Sequence, residues 1–129
     1  MLILFQRILL LCRHNIGVLM AVIVASLFIL GAHPIAVNLI PSPWDKLAHG
    51  GLFALLAWGT GTASGLSGWK RMLVALAVSV LIGVLDELNQ LHLPGRQAGW
   101  DDLAADVIGS VAGAILPVII GWRKIRDGR

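Results

Sequence analysis

Apolar residues dominate four stretches of this chain, approximately 16–32, 47–66, 72–91 and 103–122. Each comes close to the roughly 17 to 25 residues that a helix needs to cross a bilayer. Polarity does not alternate within them, which argues against transmembrane strands. The connectors carry turn chemistry: Pro34, Pro41 and Pro43 in the first, Gly68 in the second, Pro94-Gly95 and Gly99 in the third. Pro94-Gly95 suits a type II turn, because proline presets the first central position and glycine accepts positive φ at the second. No repeat of 20 to 50 residues interrupts this plan. The pattern predicts an all-α, polytopic membrane protein, a four-transmembrane-helix bundle forming one domain over 1–129.

The first 15 residues are less simple. Residues 1–13 are apolar except for Gln6, Arg7 and Arg13, and His14 follows. Seven-residue spacing puts Gln6 with Arg13 and Arg7 with His14 on a narrow polar stripe. This fits a short N-terminal interfacial helix, or equally an extension of the first span. A cleaved signal peptide is the competing reading, but Leu30-Gly31-Ala32 places leucine where a small residue is needed, which favours an uncleaved helix.

Composition strengthens the membrane reading. With 57% hydrophobic and 13% charged residues, against about 25% charged in ordinary soluble domains, the chain has too little polar surface for water, and its mean hydropathy is +0.85. Cys12 is the sole cysteine, so no intrachain disulfide or cysteine-based metal site is available. Trp44, Trp69, Trp100 and Trp122 fall at predicted span ends, as an interfacial aromatic belt requires. Gly61 and Gly65 form a small-xxx-small pair suited to tight packing inside the bundle, and the oligomeric state stays open.

Orientation follows from the ten basic residues. Four spans put Arg7, Arg13, Lys70, Arg71, Arg123, Lys124, Arg126 and Arg129 on one side, and only Lys46 and Arg96 on the other. Basic residues near span ends stay cytoplasmic. Both termini are therefore expected inside, with the first and third connectors facing outward. The net charge of +3 reflects topology and anionic membrane lipids, and no nucleic-acid partner is expected.

Chemistry collects on the outward side. Asp45 and His49 are four apart at the start of the second span, with Lys46 beside them. Glu87 and Gln90 share a face near the end of the third span, with Asp86 turned elsewhere or to a helix edge. Asp101 and Asp102 open the fourth, and Asp102 shares a face with Asp106, Gly109 and Gly113. The two glycines would let another helix approach closely. Arg96 sits in the loop above. Intramembrane carboxylates cost at least about 2.5 to 3.5 kcal/mol near the bilayer centre and are usually turned inward and paired. Glu87, only about 6 to 8 Å from its span's end, is partly relieved of that cost. Caps and ion pairs account for Asp45 and Asp102, but not for Glu87 and Asp106 as well.

At these residues the chain resembles a known family. Asp45-Lys46-Leu47-Ala48-His49, Glu87 to Gln90, Pro94-Gly95-Arg96, and Asp102, Asp106 and Gly109 are similar in order and spacing to the VanZ-like family of small bacterial integral membrane proteins, over residues 45 to about 115. The family usually has Asn where this chain has Asp106, and often Ser at Gly99. The resemblance implies a cell-envelope protein of the bacterial cytoplasmic (inner) membrane. Its founding member is linked to low-level resistance to a glycopeptide antibiotic, teicoplanin, and a similar link here is an expectation of the resemblance alone.

Three function classes are ordered by these residues. First is binding of a lipid-linked or cell-wall-related ligand, such as a lipid head group, by an outward-facing acidic site. Second is a membrane-embedded hydrolase or transferase, with Glu87, His49, Asp102 and Asp106 as candidate acid and base groups, and Asp45, Lys46, Gln90 and Arg96 as candidate ligand-binding residues, the two bases holding a phosphate or carboxylate. No cofactor is specified, and the scattered ligands give little reason to expect a metal. A transporter comes last, since no matching charges lie in the cytoplasmic half.

Overall fold

The computed structural model describes residues 2–33, 35, 39–95 and 98–126, with side chains from 3 to 121 among them. Its long elements are four helices, α1 (Leu2–Gly31), α2 (Trp44–Ala63), α3 (Gly68–Gln90) and α4 (Trp100–Arg126), and no strand occurs among the described residues. Asp45, Asp101 and Asp102 occupy first turns, where the positive end of the helix dipole favours a carboxylate. Gly95 takes φ of +78°, the value the Pro94-Gly95 turn demands of its second central residue.

Of the two readings of the first 15 residues, the first helix matches the extension of the first span and not a separate interfacial helix. No glycine or proline interrupts the chain before Gly17, and α1 runs unbroken for 30 residues, about 45 Å at 1.5 Å per residue. Gln6, Arg7, Arg13 and His14 therefore continue the first span's own helix, and no separate N-terminal helix forms. Propagating an existing helix is far easier than nucleating a second one.

Three helices, α1, α3 and α4, are long and apolar enough to cross a membrane. The second falls short, because it carries Asp45, Lys46, His49, Thr60, Thr62 and four glycines. Its position explains that composition. It packs chiefly against α4 and also against α3 and α1, so its polar and glycine face is covered while Trp44, Leu47, Leu55 and Trp58 stay exposed, and on the covered face close backbone approach matters more than apolarity.

Packing is built from small residues and a few large ones. A Cβ placed on Gly109 or Gly113 of α4 would overlap the backbone of Gly50 or Ala54 of α2, so two small-xxx-small ridges lie directly on each other. Gly59 accepts the Met20 thioether from α1, and Gly61 packs on Ala75 and Arg71 of α3. Gly61 thus works within the bundle, while Gly65 ends α2 at φ of +71° beside the Arg13 guanidinium. Met20, Phe53 and Leu56 form one buried cluster, and Ala57, Ala75 and Ala114 a second. Leu81, Leu85, Leu88 and Ile108 point outward, as a lipid-facing surface allows. Trp44, Trp69 and Trp100 are exposed at helix starts, and the Trp122 side chain lies outside the described residues.

Candidate functional site

The polar residues meet at one end of the bundle, where α2 begins, α3 ends and α4 begins. Lys46 is the hub of the upper layer. Its ammonium contacts Asp45 at 2.8 Å, Asp101 at 3.0 Å and Asp102, joining the first turns of α2 and α4. The carboxylates hold the Lys46 pKa above its ordinary value, the Asp102 hydrogen bond contributing most and that from Asp45 next. The same contact with Lys46 keeps the Asp45 carboxyl below its ordinary value. With three N–H donors facing three carboxylates, Lys46 has no donor left for an anionic ligand.

One turn deeper, His49 Nδ1 lies 2.9 Å from Asp106 Oδ1, and its ring stacks on Phe53 with centroids 6.4 Å apart. If the Asp106 carboxyl is ionised it can only accept, so Nδ1 carries the proton and Nε2 is left as the free nitrogen of the neutral ring. Asp106 is fully buried. It fits because α3 offers Gly83 opposite: a Cβ there would come within 3.2 Å of Asp106 Oδ2. That second oxygen has no partner, and neither has the buried Ser110 hydroxyl one turn further along α4.

On α3, Glu87 Oε2 accepts a 2.8 Å hydrogen bond from the Gly99 N–H, tying the end of the third connector to the helix. Glu87 Oε1 is buried and unpartnered. Glu87 and Gln90 both face inward, as their spacing suggests, but Gln90 Nε2 donates to Asp86 Oδ2 at 2.8 Å, so the expectation that Asp86 turns away needs correcting. Asp86 is buried too, only 3% exposed. Residues 86, 87 and 90 all face inward because α3 is flanked on this side by both α2 and α4. His92 Nδ1 sits 2.8 Å from the Leu88 carbonyl and closes the helix end.

A cavity of about 290 Å³ opens beside this cluster, lined by Val84 and Leu88 of α3, Leu91 just after it, Ala98 and Gly99 of the connector, and Trp100 and Leu103 of α4, with Glu87 as its acid. Of the sequence-derived candidates, Asp45, Lys46, His49, Glu87, Gln90, Asp102 and Asp106 converge on this end. Arg96 lies outside the described residues. Phe53, Gly83 and the Gly99 N–H join the site unannounced, and Asp86 and Asp101, counted among the outward polar groups but given no candidate role, join it too. Only Asp101, adjacent to Asp102 and in reach of Lys46, left a charge-pairing signal in the sequence. Among the described residues, no three His, Cys, Asp or Glu side chains gather closely enough to hold a metal ion.

The hub makes a direct prediction. Lys46→Met leaves three carboxylates facing one another and should lower unfolding stability in detergent by about 2 kcal/mol, below the roughly 3 to 5 kcal/mol for breaking a fully buried pair, since the Lys46 side chain keeps 27% exposure. Adding Asp102→Asn to that variant should restore part of the loss, read by thermal melting of the helical circular dichroism signal.

A family model described as VanZ/LLP1 matches residues 2–121. No curated protein and no solved structure matches the chain.

Proposed function

Because the chain belongs to the VanZ/LLP1 family, a membrane protein family by the apolar length of its helices here, we propose that it is a single four-span domain of the bacterial cytoplasmic membrane whose outward-facing acidic site binds the head group of a lipid-linked or cell-wall-related ligand. In this reading α2 is the fourth span, turning Leu47, Leu55 and Trp58 to lipid, and the count of basic residues puts both termini and the Lys70 turn in the cytoplasm. The observation that carries it is Glu87: a buried carboxyl with one oxygen satisfied and the other without a partner, on the wall of a cavity. Leaving a buried polar atom unpaired costs about 1 to 3 kcal/mol, a cost that a ligand group reaching Oε1 would relieve.

Glu87→Gln tests this. Glutamine keeps the shape and an oxygen that accepts from Gly99, so the melting temperature should stay close to that of the parent. Retention of envelope lipids by the purified protein, followed by native mass spectrometry, should fall. In cells, any shift in sensitivity to agents acting on outer-leaflet cell-wall precursors, teicoplanin among them, should vanish with the same substitution. Unchanged lipid retention in a well-folded variant would defeat the reading, and loss of folded protein would make Glu87 a structural clasp.

A second reading rests on the Asp106–His49 pair. An imidazole oriented through Nδ1 by a buried carboxyl presents Nε2 as a general base, and Glu87, at the same end of the bundle, is the candidate acid counterpart in a hydrolase or transferase. Release of a product from envelope lipids by the purified protein, abolished in His49→Asn, would favour turnover over binding.

A further inference from the structure

Resting on that binding reading, we infer that the ligand is a membrane amphiphile whose head group presents a protonated amine to Glu87. Six of the chain's seven acidic residues, Asp45, Asp86, Glu87, Asp101, Asp102 and Asp106, lie at this end. Among the described residues, Lys46 is the only Lys or Arg side chain that contacts them. Lys46 shows what the site accepts, an ammonium clamped by carboxylates, and it has no donor left for a phosphate.

The cavity gives this charge imbalance a shape. Glu87 is 8% exposed with Oε1 unpartnered, and it shares the cavity lining with Trp100, an exposed residue at the rim. A carboxylate and an aromatic face are the two groups that attract an ammonium, the second through its quadrupole. The other walls, Val84, Leu88, Leu91 and Leu103, are aliphatic. At about 290 Å³ the space is at the small end of ligand pockets, roughly 300 to 1,000 Å³, so it holds a head amine and the first carbons. The rest of the chain lies along Leu88 and Leu91, which are exposed at the end of α3 and just beyond it. A neutral head group would leave Glu87 Oε1 without a charge partner, and an anionic one would be repelled by the Glu87 carboxylate.

The test uses bromoalkyl amphiphiles of one length, ending in an amine, an alcohol or a carboxylic acid, added to the full-length protein in neutral detergent. Bromine quenches tryptophan on contact, and Trp100→Phe identifies the part of the quenching that comes from this cavity. The Trp100-dependent quenching should half-saturate at about tenfold lower amine than alcohol or acid, and the amine preference should disappear in Glu87→Gln. Among lipids in nanodiscs, an ethanolamine head should then compete with the amine better than a choline or glycerol head. Equal binding of amine and alcohol, or stronger binding of the acid, would overturn the amine assignment while leaving a lipid site at Glu87. Absence of Trp100-dependent quenching by all three would defeat the site itself.

Discussion

Gly113→Ala is expected to destabilise the bundle by about 3 kcal/mol, the upper part of the range for overpacking, whereas Gly51→Ala, the same chemical change on the helix that Gly113 touches, should leave stability unchanged or raise it by about 0.5 to 1 kcal/mol. The added methyl at 113 would overlap the Ala54 carbonyl, which is backbone and cannot rotate away. At Gly51 nothing lies within 4 Å, so the substitution there only removes backbone freedom from the unfolded chain. Gly109→Ala should behave like Gly113→Ala, because the Gly50 backbone stands over it in the same way. The two substitutions share one ridge, so their effects should not add. Thermal melting in a single detergent, with refolding checked, reads all four variants. A mild effect at Gly113 would mean that α2 and α4 are not in backbone contact, and the convergence of Lys46 and His49 on Asp102 and Asp106 would lose its mechanical basis.

That contact also explains how far the sequence could be read. The spacing of Gly109 and Gly113, aligned with Asp102 and Asp106, announced a helix face made for close approach, and α4 uses it so. The four helices were legible from apolar runs bounded by proline and glycine. Their partners were not. Nothing in the chain says that the Gly109 ridge meets Gly50 and Ala54 and not the equally small pair at Gly61 and Gly65, since both are glycine-rich and only three-dimensional fit selects one. Asp86 illustrates a related limit. Helical spacing separates residues 86 and 87 by about 100°, so one of two adjacent acids is expected to face outward. A helix enclosed by neighbours on two sides buries both. The continuity of α1 was left open for another reason: a polar stripe describes where a helix prefers to lie but contains no signal that breaks it, so it suits an interfacial helix and an extension of the span equally.

Asp106 carries the other large effect, and its two substitutions should diverge. Asp106→Ala strips His49 of its Nδ1 acceptor and empties the space opposite Gly83. Because the site is fully buried, the loss should reach about 3 to 5 kcal/mol, the cost of leaving one member of a buried pair behind. Asp106→Asn keeps an amide oxygen to accept from Nδ1 and removes a carboxylate oxygen that has no partner in the parent, so stability should change by less than about 1 kcal/mol. The conservative variant then separates the two functional readings. If the site only binds, the asparagine protein should hold its ligand within about threefold of the parent, since Glu87 and the cavity are untouched. Should His49 act as a base, loss of the carboxylate behind it should lower turnover by about a hundredfold or more while binding persists, because the imidazolium formed during proton transfer would have only a neutral amide to stabilise it. Nitrogen chemical shifts of labelled His49 supply the link between the outcomes: Nδ1 should remain the protonated nitrogen in both proteins. A switch of the proton to Nε2 in the asparagine variant would instead mean that the amide had turned its N–H₂ toward the ring, and the loss of turnover would then report a wrong tautomer, not a missing charge.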